Sequence, residues 1–465
     1  MRIKKLLVAN RGEIAVRVIR AARDLGIATV QVHSEADAGM LAVRIADEAV
    51  NIGPPRSAES YLNRDAILAA ARATGVDAIH PGYGFLSESG AFAAAVEKAG
   101  LIFFGPSGAT IDLMGDKAAA RMRAAKAGVP TVPGSDGVVR DMVEAAELAA
   151  GIGFPVMIKA AAGGGGRGIR IAEDTDSFGR LAHQASSEAR AAFGDGGIYI
   201  ERVIERARHI EVQILADGTD AIHCWERECS LQRRRQKVWE EAPSLALDLA
   251  TRERLCVSAA DLARSVGYTG AGTVEYLYDD ATGDFHFIEM NTRIQVEHPV
   301  TEMVTGLDLV AEMIRIAGGE PLRIRQKDVG IDGHSIEVRI NAEDPSNEFM
   351  PCPGTVTGLD VPTGPGVRFD HALYQGYAVP PFYDSLLGKL IVHGESREAA
   401  LARLGRALAE LRIEGLATTA GLFEVLRGTK EVRSNAIHTR WLEPWLETNG
   451  AMISGMMQRE GETVA

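Results

Sequence analysis

The chain has 465 residues, of which 46% are hydrophobic and 24% charged, and its net charge is -13. Such a length predicts roughly two to four domains with a large buried core. The acidic balance argues against a nucleic-acid or anionic-membrane surface. No stretch approaches the roughly 20 apolar residues of a membrane span, and the apolar start at 6–9 is too short for a signal peptide. Four cysteines without CxxC spacing suit the reducing cytoplasm and give no zinc-ligand pattern.

Short apolar strands alternate with alanine-rich helices in the N-terminal part of the chain. The pattern predicts strands at 6–9, 28–33, 78–80 and 101–104, helices at 13–25 and 63–74, and one more helix before the last strand. This βαβα order predicts a Rossmann-like parallel sheet with ligand sites at its strand ends. The glycine-containing segments 10–12 and 80–88 fall at such ends. For 10–12 a simple chain-reversing turn is the preferred interpretation.

The middle and C-terminal parts have a different composition. Pro130 and Pro133 introduce a helix at 141–150 and strands at 155–159 and 169–172. Beyond 205 strands predominate, predicted at 209–215, 273–278, 285–291 and 335–340. Proline- and glycine-rich turns follow at 351–354 and 362–366, then a helix at 397–411 and a frayed tail from about 447.

A glycine loop lies between the strands at 155–159 and 169–172. Residues 163–168 read Gly-Gly-Gly-Gly-Arg-Gly, and a strand rather than a helix follows, so this is a hairpin tip and not a dinucleotide fingerprint. Its backbone N–H groups can close over phosphates while Lys159 neutralises their charge. The alternative is a flexible surface hairpin. Because each ordered glycine costs roughly 0.5–1 kcal/mol relative to alanine, a phosphate lid is favoured.

Two strands around a turn centred near Thr282 predict a hairpin that brings carboxylates together. Glu275 then lies opposite Glu289, with Cβ atoms about 4.5–5.5 Å apart. Two carboxylates this close repel each other or share a proton unless a cation lies between them. Asn291 adds a neutral oxygen on the same face, and such an oxygen set suits Mg²⁺. The alternative is that both glutamates face solvent.

From Glu289 onward every second residue is polar. The polar positions are Glu289, Asn291, Arg293, Gln295 and Glu297, and the residues between them include Met290, Ile294 and Val296. A period of two predicts a single strand over 287–297 with one polar and one buried face. A solvated strand is the alternative, but the mixture of metal ligands, a cation and a further carboxylate favours a reaction surface.

The segment 232–237 carries four cations, namely Arg233, Arg234, Arg235 and Lys237. It is open to three interpretations: a solvated charge run, an arm that binds nucleic acid, or an anion site for phosphate or bicarbonate. The acidic chain and the short segment disfavour the nucleic-acid arm. On the strand at 209–215, His209 shares a face with Glu211 and Gln213, and a lone histidine there is more often structural.

Together these segments resemble the biotin carboxylase component of biotin-dependent carboxylases over residues 3–446. The likeness is carried by 9–15, 80–88, 114–117, 163–168, 289–302 and 339–344. It implies an α/β and α+β multidomain fold. The implied parts are an N-terminal biotin carboxylase domain at 1–114, an ATP-grasp domain at 115–330 with a mobile glycine-rich lid at about 131–204, a C-terminal α+β domain at 331–446 and a tail at 447–465.

The resemblance also implies roles for individual residues. ATP contacts are expected from Lys117, Lys159, Gly164, Gly165, Gly166, Glu201, Arg202, Ile204, His209, Gln232, Arg235, Glu275 and Glu289, with the backbone of 201–204 facing the adenine. Mg²⁺ or Mn²⁺ is expected on Glu275, Glu289 and Asn291. Bicarbonate is expected against Lys237, Arg293, Gln295 and the Val296 backbone.

The implied chemistry places Lys237, Arg293, Glu297 and Arg339 in catalysis. Glu297 would deprotonate bicarbonate for attack on the γ-phosphate. The carboxyphosphate would break into CO₂ and phosphate, and phosphate would take the biotin N1′ proton. Tyr83 would line the biotin pocket, and Arg339 would stabilise the biotin enolate as a fixed cation.

Two positions depart from the family pattern. Arg235 stands where the family usually has histidine, and Trp239 stands where a small aliphatic residue is usual. Arginine is always charged and only donates hydrogen bonds, so it cannot replace a neutral histidine as an acceptor. We therefore predict retained activity with an altered ATP affinity.

The sequence contains no Ala-Met-Lys-Met-like biotin-attachment motif. The resemblance therefore implies a separate biotin carboxyl carrier protein, separate carboxyltransferase subunits and a homodimer, as in the acetyl-CoA carboxylase of fatty acid biosynthesis. The final acceptor can also be propionyl-CoA, pyruvate or a urea-like molecule. A non-biotin ATP-grasp ligase and an inactive scaffold are the competing hypotheses.

Overall fold

The computed structural model describes residues 3–160, 170–193 and 196–450. Its first part is a five-stranded parallel sheet in the order β3-β2-β1-β4-β5. The elements of this part are β1 (Lys5–Val8), α1 (Gly12–Asp24), β2 (Ala28–His33), α2 (Leu41–Ile45), β3 (Glu48–Asn51), α3 (Arg64–Thr74), β4 (Ala78–His80), α4 (Gly90–Lys98) and β5 (Ile102–Phe103). The predicted Rossmann-like sheet is therefore confirmed.

A small three-stranded sheet follows, in the order β7-β6-β8. This part contains α5 (Gly108–Gly115), α6 (Lys117–Lys126), α7 (Met142–Ile152), β6 (Val156–Ala160), β7 (Arg170–Ala172), α8 (Thr175–Phe193) and β8 (Ile198–Arg202). Helix α7 begins where the Asp141 carboxylate accepts the N–H groups of Val143 and Glu144, as an N-cap residue should. The glycine loop at 163–168, including Gly164, Gly165 and Gly166, lies outside the described residues.

The largest element is an eight-stranded sheet in the order β13-β12-β9-β10-β11-β14-β19-β18. Its region contains β9 (Ala207–Asp217), β10 (Ala221–Arg233), β11 (Gln236–Ala242), α9 (Leu249–Ser265), β12 (Thr269–Asp279), β13 (Phe285–Asn291), α10 (His298–Thr305), α11 (Leu309–Ala317) and β14 (His334–Asn341). The remaining elements are β15 (Glu343–Asp344), β16 (Met350–Pro351), β17 (Gly358–Asp360), β18 (Val367–His371), β19 (Leu386–Gly394), α12 (Arg397–Glu410), β20 (Arg412–Glu414), α13 (Ala420–Leu426) and α14 (Lys430–Arg433).

This sheet joins strands that are distant in sequence. Strand β11 pairs antiparallel with β14, and β14 pairs with β19. One face of this junction is therefore built jointly by residues from 236–242, 334–341 and 386–394. The predicted mixture of α/β and α+β parts is confirmed.

The predicted boundaries of one strand and of the C-terminal tail are wrong. The predicted strand over 287–297 ends at Asn291, and α10 begins at His298. Ile294 and Gln295 are both buried, so burial no longer alternates beyond the strand. Pro299 in the first turn suits a helix start, which ends the extended backbone. The tail predicted from 447 begins inside a helical segment at 442–450, and 451–465 lie outside the described residues.

Across the described residues, no helix has both the length and the apolar character needed to cross a bilayer.

Candidate active site

The ammonium group of Lys237 lies among three carboxylates. Its Nζ is 2.5 Å from Glu211 Oε2, 2.9 Å from Glu275 Oε1 and 2.7 Å from Glu297 Oε1. Burial disfavours the ammonium ion, but the three negative charges outweigh it and raise the pKa of Lys237 well above its usual range. Lys237 is thus a permanent cation at the centre of the site.

A β-bulge aims Lys237 into the site. The pairing of β10 with β11 passes from Leu231 opposite Trp239 to Gln232 opposite Lys237, so Val238 is an extra residue on β11. A bulge resets the alternation of side chains along a strand. Lys237 and Glu240 are three residues apart, yet both reach the same cluster of charges.

Glu297 connects Lys237 to Arg339. Its Oε1 contacts Lys237 at 2.7 Å, and its Oε2 accepts from Arg339 Nη2 at 3.1 Å. Arg339 Nε in turn donates to Glu240 Oε1 at 2.7 Å. Burial raises the pKa of Glu297, but Lys237 and Arg339 outweigh burial and lower it. Glu297 is therefore a carboxylate with a cation on each oxygen, and its remaining lone pairs can still accept a proton.

Arg227 lies fully buried beneath these groups, and all five of its N–H donors are used. The acceptors are Glu211 Oε1 for Nε, Gln213 Oε1 and Thr301 Oγ1 for Nη1, and Thr273 Oγ1 and Gln295 Oε1 for Nη2. These acceptors come from β9, β12, α10 and the loop before α10. A guanidinium fork with every donor satisfied fixes the geometry of the groups around it.

The predicted hairpin pairing of Glu275 with Glu289 is confirmed. Burial raises the pKa of Glu289, and the charge of Glu275 raises it further. Lys117 Nζ, 3.7 Å from Glu289 Oε2, balances only part of this charge. Glu275 has Lys237 and His209 as cationic partners, whereas Glu289 has only the more distant Lys117. The two opposed carboxylates offer oxygen ligands that fit a hard divalent cation.

The amide oxygen of Asn291 is the third candidate metal ligand, beside the carboxylates of Glu275 and Glu289. Its Nδ2 donates to Glu275 Oε1 at 2.9 Å, and its Oδ1 accepts from Arg293 Nη2 at 2.8 Å. Arg293 Nε also donates to Glu88 Oε2 at 2.8 Å. The Asn291 amide oxygen has two lone pairs, so it can ligate a metal while it accepts from Arg293, which would link the metal position to the anion position.

Gln295 and Val296 follow on the loop between β13 and α10. Gln295 Nε2 donates to Glu275 Oε1 at 2.8 Å. The Val296 carbonyl accepts from Lys389 Nζ at 2.8 Å. The loop is thus tied at one end to the hairpin and at the other to β19.

The nucleotide-side residues lie around Glu201 and His209. Lys159 Nζ contacts Glu201 Oε2. His209 Nε2 is 3.2 Å from Glu275 Oε2. Burial disfavours the imidazolium ion, but the carboxylates of Glu275 and Glu211 raise the pKa of His209 to about 9.

Two of the backbone N–H groups in 201–204 are engaged within the fold, and the expected adenine contact of this segment stays a prediction. The N–H of Arg202 donates to the Pro133 carbonyl at 2.8 Å, and the N–H of Val203 donates to the Pro155 carbonyl at 3.0 Å. These two donors hold the strand in place and are not available to an adenine ring. The side chain of Ile204 is buried and that of Arg202 is exposed.

Tyr83 lies on the side of Arg339. Its hydroxyl donates to Glu13 Oε1, and Lys389 Nζ is 3.2 Å from Glu13 Oε2. Burial raises the pKa of Tyr83 well above its usual range, and Glu13 adds to the effect. Tyr83 thus remains a neutral donor here.

The two departures from the family pattern lie in different places. Arg235 is exposed in the turn between β10 and β11 with a φ of 66°, and within the described residues it makes no hydrogen bond or ion pair. Trp239 is buried beside Phe423, with ring centroids 6.4 Å apart, and its Nε1 donates to Glu241 Oε1 at 2.8 Å. Trp239 therefore packs in the C-terminal core. Gln232 donates to the Cys229 carbonyl at 3.0 Å.

Several residues that hold the site together belong to no site predicted from the sequence. They are Glu13, Glu88, Glu211, Arg227, Glu240, Glu337 and Lys389. Glu13 and Glu88 lie inside the motif segments 9–15 and 80–88, and Glu211 shares a face with His209. The sequence pattern therefore pointed to these three residues. The other four were not indicated by the sequence, because the groups they contact are distant along the chain.

Comparison with known proteins agrees with this geometry. Residues 2–111 match the profile described as biotin carboxylase, N-terminal domain, and residues 337–444 match the biotin carboxylase C-terminal domain. Residues 116–325 match the carbamoyl-phosphate synthase L chain, ATP binding domain. The fold and the matched ATP-binding domain define an ATP-dependent ligase of the ATP-grasp class.

Relatives that match this chain over nearly its whole length identify the family within this class. The chain is 54% identical to a biotin carboxylase of Nostoc over 95% of this chain and 99% of the relative. It is 49% identical to a pyruvate carboxylase subunit of Methanothermobacter thermautotrophicus over 99% of this chain and 94% of the relative. A solved biotin carboxylase domain dimer of Hydrogenobacter thermophilus 2-oxoglutarate carboxylase, with MgADP, ADP and bicarbonate, matches with TM-score 0.87, 47% identity and coverage of 97% and 99%. The chain belongs to the biotin carboxylase family.

Proposed function

We propose that this chain carboxylates biotin with ATP and bicarbonate, and that a separate carrier protein presents the biotin. The observation that supports this most strongly is the contact chain Lys237–Glu297–Arg339, in which one buried carboxylate lies between two cations. Bicarbonate and a biotin enolate are both anionic, so each can take one cation while Glu297 moves a proton. The near-complete mutual coverage with a relative named biotin carboxylase supports a carrier on another chain.

The proposed reaction begins with bicarbonate against Lys237, Arg293, Gln295 and the Val296 backbone. Glu297 takes the bicarbonate O–H proton, a bicarbonate oxygen bonds to the γ-phosphorus, and the bond to ADP breaks. The carboxyphosphate then divides into CO₂ and phosphate. Phosphate takes the N1′ proton of biotin, and N1′ forms its bond to CO₂. In this scheme Arg339 balances the enolate charge and Tyr83 lines the biotin pocket.

The ATP site in this proposal consists of the residues assigned by resemblance. They are Lys117, Lys159, Gly164, Gly165, Gly166, Glu201, Arg202, Ile204, His209, Gln232, Arg235, Glu275 and Glu289. Glu275, Glu289 and Asn291 would hold Mg²⁺ or Mn²⁺, which neutralises phosphate charge during phosphoryl transfer. The domain division at 1–114, 115–330 and 331–446 remains part of the same proposal.

A rate measurement tests the function. ATP hydrolysis should require bicarbonate and should increase when free biotin is added. Glu297→Gln should lose this activity, because an amide cannot accept the proton, whereas Glu395→Gln, at an exposed position, should retain it. A bicarbonate-dependent activity that biotin does not stimulate would point instead to a non-biotin ATP-grasp ligase.

The wider assembly is also a proposal. We infer a homodimer with separate carrier and carboxyltransferase subunits, located in the cytoplasm, as in acetyl-CoA carboxylase. A relative whose name assigns it to pyruvate carboxylase makes pyruvate an alternative acceptor. Mass spectrometry of the biotinylated protein that copurifies with the chain would distinguish these assemblies.

A further inference from the structure

A pair of buried acids lies beside Arg339. Glu240 on β11 is directly opposite Glu337 on β14, and both side chains are fully buried. Directly opposed residues have Cβ atoms about 4.5–5.5 Å apart, so the two carboxyl groups occupy one pocket. Glu337 is also opposite Ile391 on β19, which belongs to a small apolar cluster with Ala242, Val300 and Val304.

Three of the four carboxyl oxygens in this pocket have no donor. Glu240 Oε1 accepts from Arg339. Within the described part of the chain, Glu240 Oε2 and both oxygens of Glu337 have no hydrogen-bond partner. A buried carboxylate without a donor is unfavourable, whereas a carboxylic acid can donate to its neighbour.

Each cation near the Glu240–Glu337 pair already contacts another group. The charged and titratable groups around the pair are Arg339 on β14, Lys389 on β19, Lys237 on β11, and Glu297 with His298 at the start of α10. Lys389 contacts Val296 and Glu13, and Lys237 contacts three other carboxylates. Burial lowers the pKa of His298 well below its usual range, so it adds no positive charge.

We propose that Glu240 and Glu337 share one proton, which Glu337 donates to Glu240 Oε2, and that the pair positions Arg339 for the biotin half-reaction. The inference rests on the proposed function for Arg339's role only. The shared proton leaves one negative charge, on the glutamate that holds the guanidinium. Burial also raises the pKa of Glu240, to about 7, and that of Glu337 well above its usual range.

The direction of the pH effect follows from these raised values. A carboxyl group with a raised pKa in the folded state stabilises the protein fully below its unfolded value and loses that contribution as pH rises through the folded value. Deprotonation puts a second negative charge beside Arg339 and draws it away from Glu297. Biotin-dependent turnover should therefore decline on the alkaline side, while biotin-free, bicarbonate-dependent ATP hydrolysis should not show this decline.

Glu337→Gln tests the shared proton, because its amide donates to Glu240 at every pH. We expect kcat/KM for biotin within about threefold of the wild type at neutral pH, and an alkaline decline that is weakened or displaced upward. Glu337→Leu removes the donor and should lower kcat/KM for biotin by about tenfold or more without changing the ATP KM. Glu395→Gln is the matched exposed control.

Infrared spectroscopy provides a readout that does not depend on activity. At neutral pH the wild type should show a C=O stretch of a buried protonated carboxyl group that Glu337→Gln lacks. This band is identified in the difference spectrum of the two proteins, because Glu13 and Glu289 also have raised pKa values. This band would remain informative if the chain did not carboxylate biotin, or if the leucine variant failed to fold. The absence of the band from the wild type, or an unchanged alkaline decline in Glu337→Gln, would overturn the proposal.

Discussion

Arg227 and Gln295 meet in the interior, where Arg227 Nη2 donates to Gln295 Oε1 at 2.7 Å. The amide nitrogen of the same Gln295 donates to Glu275 Oε1 at 2.8 Å. Arg227 also donates to Glu211 at 2.6 Å, and Glu211 contacts Lys237. One buried guanidinium therefore sets the positions of groups on both the proposed metal side and the proposed bicarbonate side.

Replacement of Arg227 should affect stability and bicarbonate use together. Arg227→Met leaves Glu211 buried with one cation fewer, so we expect a loss of about 3–5 kcal/mol of unfolding free energy. Arg227→Lys keeps the charge but cannot reach five acceptors, so its stability should be intermediate and its bicarbonate KM raised. Thermal unfolding and bicarbonate titrations measure both effects. A bicarbonate KM equal to that of the wild type in Arg227→Lys would contradict the positioning role.

Removal of one carboxylate from the hairpin should weaken divalent-cation dependence. Glu289→Gln removes one of two opposed charges, and we expect the Mg²⁺ concentration for half-maximal ATP hydrolysis to rise about tenfold or more. Asp284→Asn, exposed in the turn of the same hairpin, is the matched control. An unchanged Mg²⁺ requirement in Glu289→Gln would place the cation elsewhere.

Lys237 should be needed for bicarbonate more than for ATP. Lys237→Met removes the cation shared by three carboxylates, so kcat/KM for bicarbonate should fall by about a hundredfold or more, with a smaller change in the ATP KM. The three carboxylates also lose their common partner, so the melting temperature should fall. Lys126→Met, at an exposed position of α6, should leave both quantities unchanged. A loss confined to ATP affinity would assign Lys237 to the nucleotide instead.

The departure at Arg235 gives a test of nucleotide affinity. Arg235→His should change the ATP KM without changing the melting temperature, because Arg235 is exposed and makes no hydrogen bond or ion pair within the described residues. Arg234→His in the same turn is the matched control. If the ATP KM of Arg235→His equals that of the wild type, the prediction of altered ATP affinity is wrong.

His80 should contribute to acid unfolding. Burial lowers the pKa of His80 to about 3, and the charge of Arg17 adds to the effect. A histidine whose pKa is lower in the folded state stabilises the protein above its unfolded value, near 6.5, and loses that contribution as pH falls towards the folded value, at about 1.4 kcal/mol per pH unit. His80→Asn keeps an acceptor for the Gly82 N–H and should flatten the fall of melting temperature below neutral pH. His183→Asn, exposed on α8, should leave the slope as in the wild type.

The sequence predicted the features that depend on neighbours along the chain. Spacing around a turn near Thr282 predicted the pairing of Glu275 with Glu289, although the strands reach this pairing through a one-residue register shift between Glu275 and Tyr276. The parallel N-terminal sheet followed from its βαβα order for the same reason. The alternation beyond Asn291 gave a wrong strand, because the helix start at His298 outweighed a polar pattern with no strand partner.

Only the tertiary structure decided which distant charges meet. Glu240 and Glu337 face each other because β11 pairs with β14, and Lys237 reaches Glu297 because of a one-residue bulge. Neither a long-range strand pairing nor a bulge leaves a periodic signal in the sequence. Side-chain type and spacing therefore determined which chemistry the chain carries, and the packing of distant strands determined the partner, charge state and orientation of each group.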